Sequence, residues 1–160
     1  MKSFKNRSFL SESKMSEVPA RLVVDTVLFI SYLRGDELSD RAEIVIDWAL
    51  TRRTFLLASS EMYDDLITAY RTKGYELRDI RNILLDLRAI PYEVVPTTHD
   101  IAVLAIDLYS KYGGSRRLHY FDSFHVATAS TIGEPLITSD DFILENAKDL
   151  GIKTINLKEI

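Results

Sequence analysis

From Phe121 to Ile132 the chain runs without Gly or Pro, and its apolar residues fall on more than one side of a 3.6-residue period. Such a segment is a helix largely surrounded by protein. It carries a lone carboxylate, Asp122. An unpartnered carboxylate is costly to desolvate, so Asp122 needs a hydrogen-bonded cation, a metal, or the helix N-cap, where backbone N–H groups would satisfy it. Taken alone, the segment favours the cap.

The elements before and after this helix alternate. Arg21-Leu22-Val23-Val24-Asp25 is a β-branched run ending in an acid, and Val27 to Arg34 reads as a helix stopped by Gly35. An amphipathic helix follows over Ser39 to Thr51, then a strand at Thr54 to Ala58. Ser59 and Ser60 are natural caps for a helix carrying Met62, Tyr63, Leu66, Ile67 and Tyr70 on one face. Asp64 and Asp65 flank that face about equally, and periodicity does not choose between them. Beyond Gly74, Leu77, Ile80, Ile83, Leu84 and Leu87 mark another amphipathic helix. Tyr92 to Val95 is a third strand closed by Pro96, and Ile101, Leu104, Ala105, Leu108 and Tyr112 mark the helix before Gly113-Gly114. After the buried helix and Gly133, Pro135 to Thr138 is a fourth strand. A helix from about Phe142 to Leu150 and a terminal strand at Lys153 to Ile155 complete the series. Residues 1–20 are polar, Ser-rich and weakly periodic, and read as a flexible N-terminal tail; residues 21–160 form the folded domain.

Strands alternating with helices imply an α/β fold, a parallel sheet covered by helices on both faces. Ligands of such sheets bind beyond the carboxyl ends of the strands. Asp25 ends the first strand and Asp140 lies just past the fourth, so two acids stand where the topology puts a ligand. Carboxylates drawn from separate elements suit Mg²⁺ or Mn²⁺. Two such ions activate water and stabilise the leaving oxygen of a phosphodiester. Capping offers a plainer role for Asp25 and Asp140, as does a solvated surface for Asp64 or Asp65.

The absence of cysteine excludes disulfides and thiolate metal sites and fits a reducing cytoplasm, and no apolar run is long enough to span a bilayer. A net charge of −4 argues against a generally basic nucleic-acid-binding surface. Lys111, Arg116, Arg117 and His119 cluster just before Asp122. They are candidates for meeting a phosphate backbone, or else they line a solvated loop.

Four stretches resemble, in order, the acidic motifs of PIN-domain ribonucleases, a group that includes the VapC toxins of prokaryotic toxin–antitoxin pairs. They are Val23-Val24-Asp25-Thr26, Asp65-Leu66, Asp122-Ser123-Phe124-His125-Val126-Ala127-Thr128-Ala129, and Leu136-Ile137-Thr138-Ser139-Asp140. The resemblance spans about Arg21 to Ile160. It implies a three-layer α/β/α fold with a central, mostly parallel sheet. It also implies a Mg²⁺- or Mn²⁺-dependent endoribonuclease that hydrolyses single-stranded RNA by in-line attack of water. Asp25, Asp122 and Asp140 would be the core metal ligands and Asp65 the second-ion or water-positioning acid. Asp64 stands as the alternative for Asp65, and Asp141 for Asp140. Thr138 matches the small hydroxyl residue near the metal, and Thr26 a supporting position. His125 matches a packed, hydrogen-bonded position rather than a ligand.

Two residues depart from the family pattern. Val27 stands where Asn or Ser is common, and Asp65 where the longer Glu is usual. A catalytically degenerate PIN-fold RNA-binding or scaffold protein is therefore the alternative reading. An aspartate-based phosphotransfer domain ranks lower, since the acid such enzymes want two residues after the first is replaced by Val27. The toxin role implies a small antitoxin partner placing a basic side chain among the carboxylates, and family members often form homodimers.

Overall fold

The computed structural model describes residues 18–160. Nearly all of the tail expected over residues 1–20 therefore lies outside the described residues. Five strands form the sheet: β1 (Arg21–Val24), β2 (Phe55–Ser59), β3 (Tyr92–Val95), β4 (Leu136–Thr138) and β5 (Thr154–Asn156). Their order is β3-β2-β1-β4-β5, and every neighbouring pair is parallel. The sheet is thus wholly parallel. Val23 at its centre pairs with Leu57 on one side and Leu136 on the other.

Among the described residues seven α-helices connect the strands: α1 (Thr26–Arg34), α2 (Ser39–Leu50), α3 (Met62–Thr72), α4 (Leu77–Asp86), α5 (His99–Tyr112), α6 (Tyr120–Ile132) and α7 (Asp141–Asn146). Side chains alternate across a strand, and β1 shows the consequence. Leu22 and Val24 enter a core built with α1 to α4, whereas Val23 enters a second core built with α5 to α7. Three layers follow from that alternation.

Each helix boundary has a local cause. Gly35 and Gly133 end α1 and α6 in the left-handed conformation, at φ 68° and 70°, where a side chain is disfavoured. Thr98 opens α5 by accepting the Ile101 N–H. In α6 every residue from Ser123 to Ala129 is buried, as its all-round apolar pattern requires. It packs between α5 and strands β1, β2 and β4 and touches α3, which fixes the direction of the acid near its start.

Three local expectations change. Ser59 belongs to β2, and the residue preceding α3 is Glu61, which makes no side-chain cap bond. Ser60 instead accepts the Thr97 N–H at 2.9 Å, tying that turn to the segment after β3. The last helix ends at Asn146 rather than near Leu150. Of the apolar stripe expected there, Ile80 and Leu87 are buried and Ile83 and Leu84 pack half-buried against the core, but Leu77 at its start is 68% exposed.

Candidate metal centre

The parallel sheet ends its strands on one side, and the acids gather there. Asp25 immediately follows β1, and its backbone N–H donates to Ile137 O of β4 at 3.1 Å. That bond holds the ends of β1 and β4 side by side. Asp25 Oδ1 accepts the Val27 N–H at 3.4 Å, so the capping role expected of it is real, while Oδ2 accepts the Thr138 hydroxyl at 2.6 Å. Thr138 Oγ1 in turn accepts the Asp140 N–H at 3.1 Å, and Asp140 Oδ1 caps α7 through the Ile143 N–H at 2.9 Å. One hydroxyl thus fixes two acids.

Asp122 is not a cap. The cap position of α6 is His119, and Asp122 Oδ2 meets His119 Nδ1 at 3.2 Å. Asp65 resolves the ambiguity within α3, since it lines the cleft, half-buried, whereas Asp64 is exposed and does not line it. Asp65 Oδ2 is held at 3.2 Å by Nε2 of the fully buried His125, which also lies 3.0 Å from Thr26 Oγ1. His125 is therefore packed and hydrogen-bonded. It ties α6 to α1 and α3 and aims Asp65.

Asp25, Thr26, Asp65, Asp122 and Asp140 border a cleft of about 550 Å³. Donor atoms of Asp25, Asp65, Asp122 and His125 all lie within 4.8 Å of one another, and so do those of His119, Asp122 and Asp140. Asp122 belongs to both groups and so sits at the centre of charge. Burial first, then the charges of Asp25, Asp140 and Asp65, push its carboxyl up to about 8 against the pull of His125. Burial also raises the Asp25 carboxyl, with His125 and the Thr138 hydroxyl opposing it. For His125 burial works against the cation, but the hydrogen bond to Asp65 and the charges of Asp25 and Asp122 prevail and raise it.

The donor set suits a hard divalent ion. Oxygens around one Mg²⁺ stand roughly 3 Å apart when adjacent and roughly 4.2 Å when opposite, so donors already within 4.8 Å of one another need to close by at most about 2 Å. Four converging carboxylates are costly to keep ionised together, and a dication offsets that cost directly.

The PIN domain family model matches residues 22–149. The chain belongs to the PIN-domain family. Solved structures with this fold include VapBC2 of Rickettsia felis bound to a promoter DNA fragment, 13% identical, with TM-score 0.61, covering 85% of this chain and 98% of that one. FitAcB of Neisseria gonorrhoeae is 14% identical with TM-score 0.58, covering 87% and 99%. VapBC-5 of Mycobacterium tuberculosis, a toxin–antitoxin system member, is 21% identical with TM-score 0.55, covering 86% and 99%. No curated protein matches the sequence.

Within this PIN domain the fallback acids stand apart from the centre. Asp141 lines the outer cleft but is exposed and pairs with Lys158. Of the basic cluster, only His119 reaches the acids. Lys111 lies over the Tyr112 ring and Arg117 over the Phe142 ring, and neither they nor Arg116 lines the cleft. Among the described residues the cations that do line it are Arg34 and Lys73, which sequence reasoning missed. A signal existed: Val27, Ile30 and Arg34 succeed one another at spacings of three and four, which puts all three on one helix face.

Proposed function

We propose that this PIN domain is a divalent-metal-dependent endoribonuclease acting on single-stranded RNA in the cytoplasm. The reading rests on one observation, that Asp25, Asp65, Asp122 and Asp140, from four separate elements, border one cleft at the carboxyl end of the sheet. Asp25, Asp122 and Asp140 would hold Mg²⁺ or Mn²⁺, with Asp65 at the edge toward α3. A bound dication polarises the phosphoryl oxygen and lowers the pKa of water enough to make it a nucleophile.

This chain's own residues do the positioning. Thr138 Oγ1 donates to the Asp25 carboxylate and receives from the Asp140 backbone, while the Ile143 N–H holds the Asp140 carboxylate, so both carboxylates keep their direction when the charge on a phosphate approaches. His125 Nε2 holds one oxygen of Asp65 in place. His119 Nδ1, beside Asp122, adds an imidazole nitrogen that suits Mn²⁺ at least as well as Mg²⁺.

The chain acts as the toxin of a toxin–antitoxin pair in this reading, with an antitoxin protein and a second copy of itself as partners. The fold it shares with VapBC and FitAcB proteins supports that role. One observation favours a degenerate scaffold instead: Val27 lines the cleft and offers the site no polar side-chain atom. Incubation of a mixed RNA pool with wild type, Asp25→Asn and Asp122→Asn, in Mn²⁺ or in chelator, separates the two. Hydrolysis requires cleavage by wild type in Mn²⁺ only, lost in both variants. RNA binding with no cleavage in any metal would favour the scaffold, and cleavage unchanged in both variants would reject the assignment.

A further inference from the structure

The acidic cleft has a basic far end. Helices α1 and α3 both start beside the acids and run outward, carrying Arg34 and Lys73 at their ends, and both cations line the same cleft. Arg34 lies nine positions after Asp25, and Lys73 eight after Asp65. At about 1.5 Å per residue, each cation stands roughly 12–14 Å along the helix from its acid. The floor between them is apolar, made by Val27 and Ile30 on the Arg34 face of α1.

Distance decides what these cations are for. Across about 12 Å of water a unit pair gains only ~0.3 kcal/mol, and salt screens most of that. Arg34 and Lys73 therefore do little to neutralise the carboxylates. Neither forms an ion pair with a described residue. Asp36, which lines the same cleft, accepts from Ser31 Oγ at 3.1 Å and from the Leu38 N–H at 2.9 Å, and so serves the turn after α1. Two cations remain at the end of a trough whose other end binds dications.

We propose that Arg34 and Lys73 form a subsite for a non-scissile phosphate of single-stranded RNA, with Val27 and Ile30 as the surface over which the intervening nucleotide passes. The subsite rests on the ribonuclease reading and deepens it: the strand runs along α1 and α3, away from the loop that holds Arg116 and Arg117. Arg offers a fork for two phosphate oxygens and Lys a point charge, so the pair holds a phosphodiester without reading its base.

The test is fluorescence anisotropy of a labelled, mixed-sequence single-stranded RNA of about twelve nucleotides, within the site sizes of such grooves. Ca²⁺ replaces Mn²⁺, a gel verifies that the RNA stays intact, and affinity is measured against salt. Each phosphate contact to a single strand contributes roughly 0.7 to the slope of log K against log salt. The Arg34→Ala/Lys73→Ala double variant, which loses that one phosphate contact, should lose about 0.7 of that slope. Lys73→Arg should keep it, and the charge-matched Arg78→Ala/Arg81→Ala control on exposed positions of α4 should keep it too. An unchanged slope in the double variant, or an equal fall in the control, would overturn the subsite. Mn²⁺-dependent cleavage by wild type, measured alongside, tells the failures apart. Cleavage with an unchanged slope sinks the subsite alone, and neither binding nor cleavage by wild type sinks both.

Discussion

Replacing Asp122 with Asn should make the metal-free protein more stable, although it removes a central ligand. The Asp122 carboxyl stands at about 8 in the folded protein against an ordinary 3.8, chiefly because it is buried and then because Asp25, Asp140 and Asp65 surround it. A raised carboxyl pKa means that the folded state binds more protons than the unfolded chain between those two values. Metal-free stability therefore falls as pH rises from about 4 to about 8. The raised Asp25 carboxyl and the raised His125 act in the same direction, His125 losing its contribution as it deprotonates above its ordinary 6.5. At 1.36 kcal/mol per unit, a rise from 3.8 to about 8 sets a ceiling of roughly 6 kcal/mol on what ionising Asp122 costs, reached at pH 8 and above. Water entering the open cleft lowers that figure. A gain of about 2–4 kcal/mol for Asp122→Asn at pH 8 is expected, or about 5–15 °C in Tm for a domain of this size. Urea unfolding of both proteins in chelator, from pH 5.5 to 8.5, measures it. Wild-type stability should decline over that range and the variant should decline much less. Saturating Mn²⁺ should reverse the ranking, because only wild type retains the full ligand set. A flat or rising wild-type profile, with no gain in Asp122→Asn, would refute the electrostatic reasoning.

Thr138→Val deletes the hydroxyl that joins Asp25 to the Asp140 backbone. Mn²⁺ affinity, followed by the EPR signal of free ion, should fall roughly 10–100-fold, as when a ligand's supporting partner is lost. His125→Leu removes the hold on Asp65 while keeping an apolar filler. Leaving the Asp65 and Thr26 partners unsatisfied should cost about 1–3 kcal/mol in urea unfolding. Gly113→Ala should destabilise by ~1–3 kcal/mol, since an added Cβ would overlap the carbonyl oxygen and ring of Tyr109 in the turn that leads toward α6. Thermal melting checks it, and a Tm unchanged within error would show that the turn can shift freely.

The fold was legible because its signals are periodic. β-branched runs alternate with amphipathic stretches, so element type and order follow from the chain itself, and the all-round apolar pattern of α6 forecasts its burial. Boundaries that depend on tertiary pairing were not legible. Ser59 looks like a cap, but pairing with Val95 keeps it in β2. Among the site residues, Asp25 and Asp140 could be placed by topology because each lies at or just past the carboxyl end of a strand. Asp65 could not be separated from Asp64 by helical phase, because the two straddle the packed face and only His125, sixty residues away in sequence, decides which one turns inward. Arg34 and Lys73 were missed for a related reason. Neither lies in a basic run, and only the packing of α1 beside α3 brings two isolated cations to one cleft.

The account depends on carboxylates distant in sequence converging on one cation. Crystals soaked in Mn²⁺ and measured for anomalous scattering test this directly. The account predicts an anomalous peak within about 2.0–2.4 Å of oxygens from Asp25, Asp122 and Asp140, lost in crystals of Asp122→Asn. No peak in the cleft at millimolar Mn²⁺, or a peak held by other residues and unmoved in Asp122→Asn, would contradict it.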